Sequence, residues 1–215
     1  MIDTVIFDLD GTLLDTLEDL TDSTNYALKK FGLQERSIDE VRQFVGNGVD
    51  RLIRRAVAGA LSEEKEAECL RTFKQYYAEH MYHKTKPYDG IMKLVKMLIQ
   101  EQYRLAIVSN KFDPAVKELN RIYFENQFPV AIGASEGIAK KPAPDTVYEA
   151  MRQLGSSKEN AIYVGDSDVD VMTAKKSGLP CIGVTWGFRD EELLTSLGAD
   201  YIVHRPEEIM EILQH

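Results

Sequence analysis

The stretch TVIFDLDGTLLDT, residues 4–16, places two acids at the end of an apolar run. Three consecutive apolar residues run directly into Asp8, and a second aspartate, Asp10, follows two positions later. Gly11 and Thr12 come next. A short apolar run is typical of a buried strand. The two acids are therefore either ordinary turn residues or a functional pair at the carboxyl end of a strand, where open α/β sheets bind their ligands.

Similar apolar runs recur along the chain. They occupy residues 4–10, 104–110, 129–135, 161–167, 181–187 and 199–205. Each is nearly continuously apolar rather than alternating, which is typical of strands that are covered on both faces. Amphipathic stretches of helical length separate the later runs. The alternation predicts an α/β fold with a doubly wound parallel sheet, a Rossmann-type core.

Residues 16–84 interrupt this alternation, because they show helical periodicity and no convincing strand. Within them, Ser62 is followed by three glutamates among the next four residues, a pattern typical of a helix N-terminus. We therefore predict a small all-helical cap domain, residues 16–84, inserted after the first strand. The α/β catalytic core then comprises residues 1–15 and 85–215.

Composition limits the partners of this chain. Its 215 residues carry a net charge of −9, which disfavours a nucleic acid or an anionic membrane as a partner. Two cysteines are too few for a disulfide framework and lack the spacing of metal ligands. There is no signal-peptide pattern and no apolar run near the ~20 residues that cross a bilayer. We therefore expect a cytoplasmic protein without a membrane partner.

Three further polar groups are associated with the predicted strands. Ser109-Asn110 and the acidic loop GDSDVD, residues 165–170, end two of the strands, and Lys140-Lys141-Pro142 opens a later helix. Taken singly, they read as a turn, a solvated helix start and surface lysines. Asp168 is expected at the surface, as the cap of the following helix.

Taken together, the same groups predict a site. The acids of the 165–170 loop would repel Asp8 unless a cation neutralised them, and Mg²⁺ typically takes one or two carboxylates plus phosphate and water. Lys141 is the natural counter-charge for an ionised nucleophile and a transferring phosphoryl group. A strand-end aspartate can itself act as that nucleophile.

The strings DLDGT, SN, the lysine of KKP and GDSDVD occur in this order and resemble the four motifs of the haloacid dehalogenase superfamily. They span residues 8–170. The helical insertion is similar to the cap of the phosphoglycolate phosphatase-like branch. Further strings that resemble this branch are FVGNGVDRLIRRA, PYDGI, VSNK and VGDSDVDVMTAKKSG.

The resemblance implies a role for each matched residue. Asp8 would attack phosphorus, and Asp10 would act first as the acid and then as the base. Lys141 matches the family lysine better than Lys140 does. The implied Mg²⁺ ligands are Asp8, the backbone carbonyl of Asp10, Asp166 and, directly or through another group, Asp170. The implied contacts of the phosphoryl oxygens are Thr12, Ser109 and Asn110.

The loop VGNGVDR, residues 45–51, is the predicted substrate contact within the cap. Its two glycines permit a close approach of the backbone to a ligand. The predicted contacts are Gly46, Asn47, Gly48 and Arg51. Arg51 is either the partner of a substrate carboxylate or second phosphate, or a solvated helix residue. Weaker candidates for the same anion are Arg54, Arg55 and Lys111.

The sequence thus predicts a Mg²⁺-dependent phosphatase, a monomer or weak homodimer, that hydrolyses a small phosphorylated metabolite of the phosphoglycolate kind through an aspartyl phosphate. A pyrophosphatase and a β-phosphoglucomutase of the same superfamily are alternatives that share its motifs. A receiver-type switch that stores an aspartyl phosphate is the non-enzymatic alternative. Asp10 argues against it, because such a switch has no leaving group to protonate.

Overall fold

The computed structural model describes residues 1–214. In chain order the strands are β1 (Thr4–Phe7), β2 (Leu14–Asp15), β3 (Lys86–Pro87), β4 (Arg104–Phe112), β5 (Val130–Ala134), β6 (Ala161–Gly165), β7 (Cys181–Val184) and β8 (Tyr201–Val203). The helices are α1 (Leu17–Lys30), α2 (Ile38–Phe44), α3 (Val49–Val57), α4 (Glu63–His80), α5 (Ile91–Gln100), α6 (Asp113–Phe124), α7 (Asp145–Leu154), α8 (Asp168–Ser177), α9 (Glu191–Ser196) and α10 (Glu207–Leu213).

Six strands form one sheet in the order β5-β4-β1-β6-β7-β8, and all of its pairings are parallel. The chain builds one half of the sheet outward from β1 through β4 to β5, and then builds the other half from β6 to β8. The predicted doubly wound α/β fold is therefore confirmed. The strand order reverses at β1, the point of an open α/β sheet where ligands bind.

The centre of the sheet is fully buried. All four residues of β1 have 0% exposure, and Phe7 lies in register with Ile107 of β4 and Val164 of β6. Ile6 and Tyr163 belong to one hydrophobic cluster on this sheet. The register brings the carboxyl ends of three neighbouring strands to the same edge, where the polar residues follow.

The predicted helical insertion after β1 is also confirmed, and it comprises α1 to α4. The chain forms two compact units, Met1–Leu14 with Pro87–His215 and Asp15–Lys86. Within the helical unit, Ser62 caps α4 by accepting the N–H of Lys65, as its sequence pattern predicts. Over residues 1–214, no helix is both long enough and apolar enough to pass through a bilayer.

Candidate active site

Asp8 is the first residue after β1, and its own N–H still donates to the carbonyl of Val164 at 2.9 Å. The strand is buried, but the Asp8 side chain keeps 11% exposure. Its Oδ1 accepts the N–H of Leu9 at 2.7 Å and lies 2.9 Å from Lys141 Nζ. The backbone of the sheet therefore holds one carboxylate at the rim with an ammonium beside it.

Lys141 is the buried cation of this site, with a side chain that is 1% exposed, whereas Lys140 is exposed. Its Nζ lies 2.8 Å from Asp170 Oδ1 and donates to the hydroxyl of Tyr163 at 3.0 Å. Burial alone would lower the pKa of Lys141, but the carboxylates of Asp170 and Asp8 outweigh it and raise this pKa above its usual value. Lys141 is therefore an ammonium ion in the folded protein.

Asp170 lies in the first turn of α8 and is fully buried. Its Oδ1 accepts hydrogen bonds from Lys141 and from Tyr163, at 2.8 and 3.1 Å. Its Oδ2 accepts the N–H and the hydroxyl of Ser167, at 3.1 and 2.6 Å. Both oxygens thus already receive two hydrogen bonds from protein groups.

The same turn corrects one prediction. Ser167, not Asp168, is the N-cap of α8, and it forms a capping box with Asp170. Asp168 is the first residue of the helix, and its side chain is 43% exposed. Its Oδ1 lies 3.4 Å from Arg189 Nε. A serine hydroxyl can both accept a helix N–H and donate to a carboxylate, which an aspartate in its place could not do.

Asp166 follows β6 and is 1% exposed. Its Oδ1 accepts the hydroxyl of Thr12 at 3.0 Å, and its Oδ2 accepts the N–H of Phe188 at 2.8 Å. Two glycines make room for it. A Cβ on Gly187 would lie 2.3 Å from the Cβ of Asp166. A Cβ on Gly11, whose φ is +87°, would lie 2.4 Å from Oδ2 of Asp166.

Asp8, Asp166 and Asp170 can together hold a divalent cation. Each offers an oxygen within 4.8 Å of the others, and all three are buried. Burial, then the charge of Asp170, raises the pKa of Asp8 well above its usual range and that of Asp166 to about 7. Acids that are costly to ionise in this way fit a bound cation, which would supply the missing positive charge.

Asp10 has a buried lysine of its own. Its Oδ1 lies 2.8 Å from Lys111 Nζ, and the two side chains are 14% and 2% exposed. Lys111 is a residue of β4. Its position beside the second aspartate was not foreseen, since the sequence offered Lys111 only as a weak candidate for the substrate anion.

Ser109, Asn110 and Thr12 lie in the same unit and are all buried. Ser109 Oγ accepts the N–H of Lys111 at 3.2 Å. The side chains of the other two hold neighbouring site residues, because Asn110 Nδ2 donates to the carbonyl of Lys141 at 3.0 Å and Thr12 donates to Asp166. Their contacts with a phosphoryl group stay predictions.

Sequence reasoning missed two contributors. Tyr163 was visible only as part of an apolar strand, yet its hydroxyl contacts both Lys141 and Asp170. The segment after β7 contributes through Trp186, whose Nε1 donates to the carbonyl of Thr12 at 3.0 Å, and through the Phe188 N–H. A signal existed for the second, since residues 181–187 are another apolar run that ends at the same edge of the sheet.

The four predicted substrate contacts of the cap lie together in the helical unit. Gly46 and Gly48 have φ of +114° and +85°, and Gly48 is the N-cap of α3. Arg51 Nη1 donates to Asn47 Oδ1 at 2.9 Å. The weaker candidates are engaged elsewhere: Arg54 with Glu66, and Arg55 with the carbonyl of Phe44. A role of this loop in substrate binding stays a prediction.

Comparisons with known proteins identify the family of this chain. Residues 5–184 match the model of the haloacid dehalogenase-like hydrolase family. The chain is 30% identical to a phosphoglycolate phosphatase of Aquifex aeolicus, over 98% of this chain and 96% of that protein. It is 35% identical to phosphoglycolate phosphatase 1 of Pseudomonas aeruginosa, over 86% and 70%.

The chain is also similar to solved crystal structures. The structure of a predicted phosphoglycolate phosphatase from Haemophilus somnus superposes with a TM-score of 0.93 at 29% identity, over 99% of this chain and 98% of that one. The family match covers most of the chain, and the relatives cover nearly all of it. The chain therefore belongs to the haloacid dehalogenase-like hydrolase family and is an enzyme of that family.

Proposed function

We propose that this enzyme is a Mg²⁺-dependent phosphatase that hydrolyses a small phosphomonoester of the phosphoglycolate kind through an aspartyl phosphate. The observation that carries the proposal is the buried pairing of Asp8 with Lys141, 2.9 Å apart, inside an acid cluster at the switch point of the sheet. The names of the Aquifex and Pseudomonas relatives support the substrate class.

In the first step, a carboxylate oxygen of Asp8 attacks phosphorus. The new Asp8 O–P bond forms while the ester P–O bond breaks, and the leaving oxygen takes a proton from the Asp10 carboxyl group. The Lys141 ammonium favours the ionised form of Asp8, against the effect of burial, and offsets the charge of the phosphoryl group. Ser109 Oγ and the N–H of Asn110 are the groups that we assign to the phosphoryl oxygens.

In the second step, Asp10 is a carboxylate and removes a proton from water. The water oxygen attacks phosphorus, the Asp8 O–P bond breaks, and inorganic phosphate leaves. Asp8 is regenerated, and Asp10 again holds the proton that the next cycle needs. The same residue thus serves as the acid and then as the base.

The residues assigned to Mg²⁺ are Asp8, Asp166 and the backbone carbonyl of Asp10. Asp170 is not assigned as a direct ligand of the ion, because each of its two oxygens already accepts two hydrogen bonds. The donors are Lys141, Tyr163 and Ser167. A bound cation would neutralise the acid cluster and polarise the phosphoryl group. Thr12 would hold Asp166 in place through its hydroxyl.

Arg51 is the residue that we assign to the substrate carboxylate. Arg51 is exposed and lies in the first turn of α3, and its Nη1 donates to Asn47 Oδ1. A guanidinium matches the planar geometry of a carboxylate, because it can donate two parallel hydrogen bonds to it. Gly46 and Gly48 would then allow the backbone to approach the same anion.

A substrate panel tests the proposal. Phosphate release is measured from 2-phosphoglycolate, pyrophosphate, nucleotides and β-glucose 1-phosphate, with Mg²⁺ and with EDTA. We expect the highest kcat/KM with 2-phosphoglycolate, no turnover in EDTA, and none in Asp8→Asn, which is the matched control.

Other outcomes identify the alternatives. Preferred turnover of pyrophosphate indicates a pyrophosphatase, and formation of glucose 6-phosphate without phosphate release indicates a mutase. An aspartyl phosphate that persists long after the phosphoryl donor is removed indicates a switch. Each of these results contradicts the proposed function.

A further inference from the structure

We propose that Lys111 is a positioning residue for Asp10, and that its ammonium holds the carboxyl group of Asp10 in the orientation needed for proton transfer. The inference rests on the proposed function, in which Asp10 is the acid and the base. It assigns to Lys111 a contact with Asp10 rather than with substrate.

The geometry places the pair at the rim of the sheet. Lys111 Nζ lies 2.8 Å from Asp10 Oδ1, and the lysine side chain is only 2% exposed. The register between β4 and β5 shifts between Val108 and Phe112, so Lys111 lies in an irregular part of its strand. Such irregularities re-aim side chains beside active sites.

Stability alone is a poor reason for this pair. Taking a lysine out of water is costly, and a buried ion pair often adds no net stability over an apolar replacement. The backbone of Asp10 is already held without the lysine, because Asp10 pairs with Leu14 in a bridge and the next residue, Gly11, donates to the Leu14 carbonyl at 2.9 Å. What the lysine adds is a fixed direction for the carboxylate.

That direction matters for the proposed chemistry. Lys111 occupies Oδ1 of Asp10, and we assign the proton transfer to Oδ2. A proton-transfer group must lie within hydrogen-bond reach of its target, and a misplacement of about 1 Å can cost roughly 10²-fold in rate. The arrangement matches that of Asp8, which has Lys141 as its own buried lysine.

Kinetics with two leaving groups test this role. The variants are Lys111→Met, Lys111→Arg and, as an exposed control, Lys93→Met. On 2-phosphoglycolate, whose alkoxide needs a proton, we expect K111M to lower kcat about 10²-fold and to change KM less than about twofold. We expect K111R to lie between K111M and the wild type, because it keeps the charge at a different reach.

On p-nitrophenyl phosphate, whose leaving group needs no proton, K111M should still be phosphorylated rapidly. Hydrolysis of the aspartyl phosphate would be slow, so we expect a burst of nitrophenolate equal to the enzyme concentration before slow turnover. A purely structural defect would reduce the burst in proportion to the loss of folded sites. A reduced burst, or wild-type kcat on both esters, therefore overturns the inference.

A double-mutant cycle with Asp10→Asn gives the second test. Because Lys111 acts through Asp10, K111M should lower kcat no further on the D10N background. An equal further loss there overturns the inference, and Lys111→Gln replaces K111M in both tests if K111M does not fold. Wild-type protein that hydrolyses neither ester overturns the proposed function itself, whereas an active wild type with a normal K111M overturns only the role of Lys111.

Discussion

The acid cluster at the strand ends and the loop of residues 45–51 are built in opposite ways. In the cluster, Lys141 and Asp170 are 1% and 0% exposed, and Thr12 contacts Asp166 across 154 positions of sequence. In the loop, the contact of Arg51 with Asn47 joins exposed groups four positions apart. A change at Arg51 therefore removes one local contact, whereas changes in the cluster disturb several partners at once.

This difference fits two separate tasks, catalysis in the cluster and substrate recognition in the loop. A rigid sheet edge suits groups that must meet a reacting phosphorus in one geometry, and an exposed loop suits the recognition of one ester among many. The comparison predicts losses of kcat from the cluster and changes of KM from the loop.

The largest effect is expected from Asp10, which follows Asp8 of the cluster by two positions. Asp10→Asn should lower kcat on 2-phosphoglycolate about 10²–10⁴-fold, because the amide can neither protonate the leaving oxygen nor activate water. Steady-state phosphate release with saturating Mg²⁺ measures this. Near-normal turnover of the variant would show that Asp10 has no part in the proton transfers.

An intermediate effect is expected from the loop. Arg51→Ala should raise the KM for 2-phosphoglycolate about tenfold or more and leave kcat nearly unchanged, since it removes a charge-assisted hydrogen bond to the substrate. Initial rates with 2-phosphoglycolate and with a phosphomonoester that has no second anion measure the difference.

The control for the loop is Arg54→Ala, because Arg54 already pairs with Glu66. It should leave both KM values unchanged. If Arg51→Ala leaves the KM of every anionic substrate as it was, Arg51 does not bind the substrate carboxylate.

The smallest effect is one of stability, and it tests the role of Asp166 in the cluster. Burial and Asp170 raise the pKa of Asp166 from 3.8 to about 7, so between these pH values the folded protein holds a proton that the unfolded chain has lost. The free energy of unfolding of the metal-free protein should therefore fall as pH rises through this window. A bound cation offsets the loss.

Thermal unfolding at pH 5 and pH 8, with and without Mg²⁺, measures this. We expect Mg²⁺ to raise Tm by a few degrees at pH 8 and by less at pH 5. Asp166→Asn should raise the Tm of the metal-free protein at pH 8 and remove the Mg²⁺ effect. Equal Mg²⁺ shifts at both pH values would contradict the assignment of Asp166.

Much of the site could be predicted from local patterns. An apolar run that leads into Asp8, and another that leads into Asp166, already indicate two strands with acids at their carboxyl ends. The exposed Lys140 and buried Lys141 agree with the choice of Lys141. The cap of α8 was mispredicted, because an acid and a serine at adjacent positions both fit the N-cap pattern and only the backbone geometry separates them.

The six strands of the large sheet, the helical insertion and the residue types at the strand ends could be read from the sequence, because they depend on short periodicities and on spacing along the chain. The two-residue strands β2 and β3 could not. Two pairings of polar groups were visible only in the folded chain: Lys111 with Asp10 across 101 positions, and Lys141 with the hydroxyl of Tyr163 across 22. Side-chain pairing of this kind depends on strand register and on the packing of several elements at once. No local pattern carries that information.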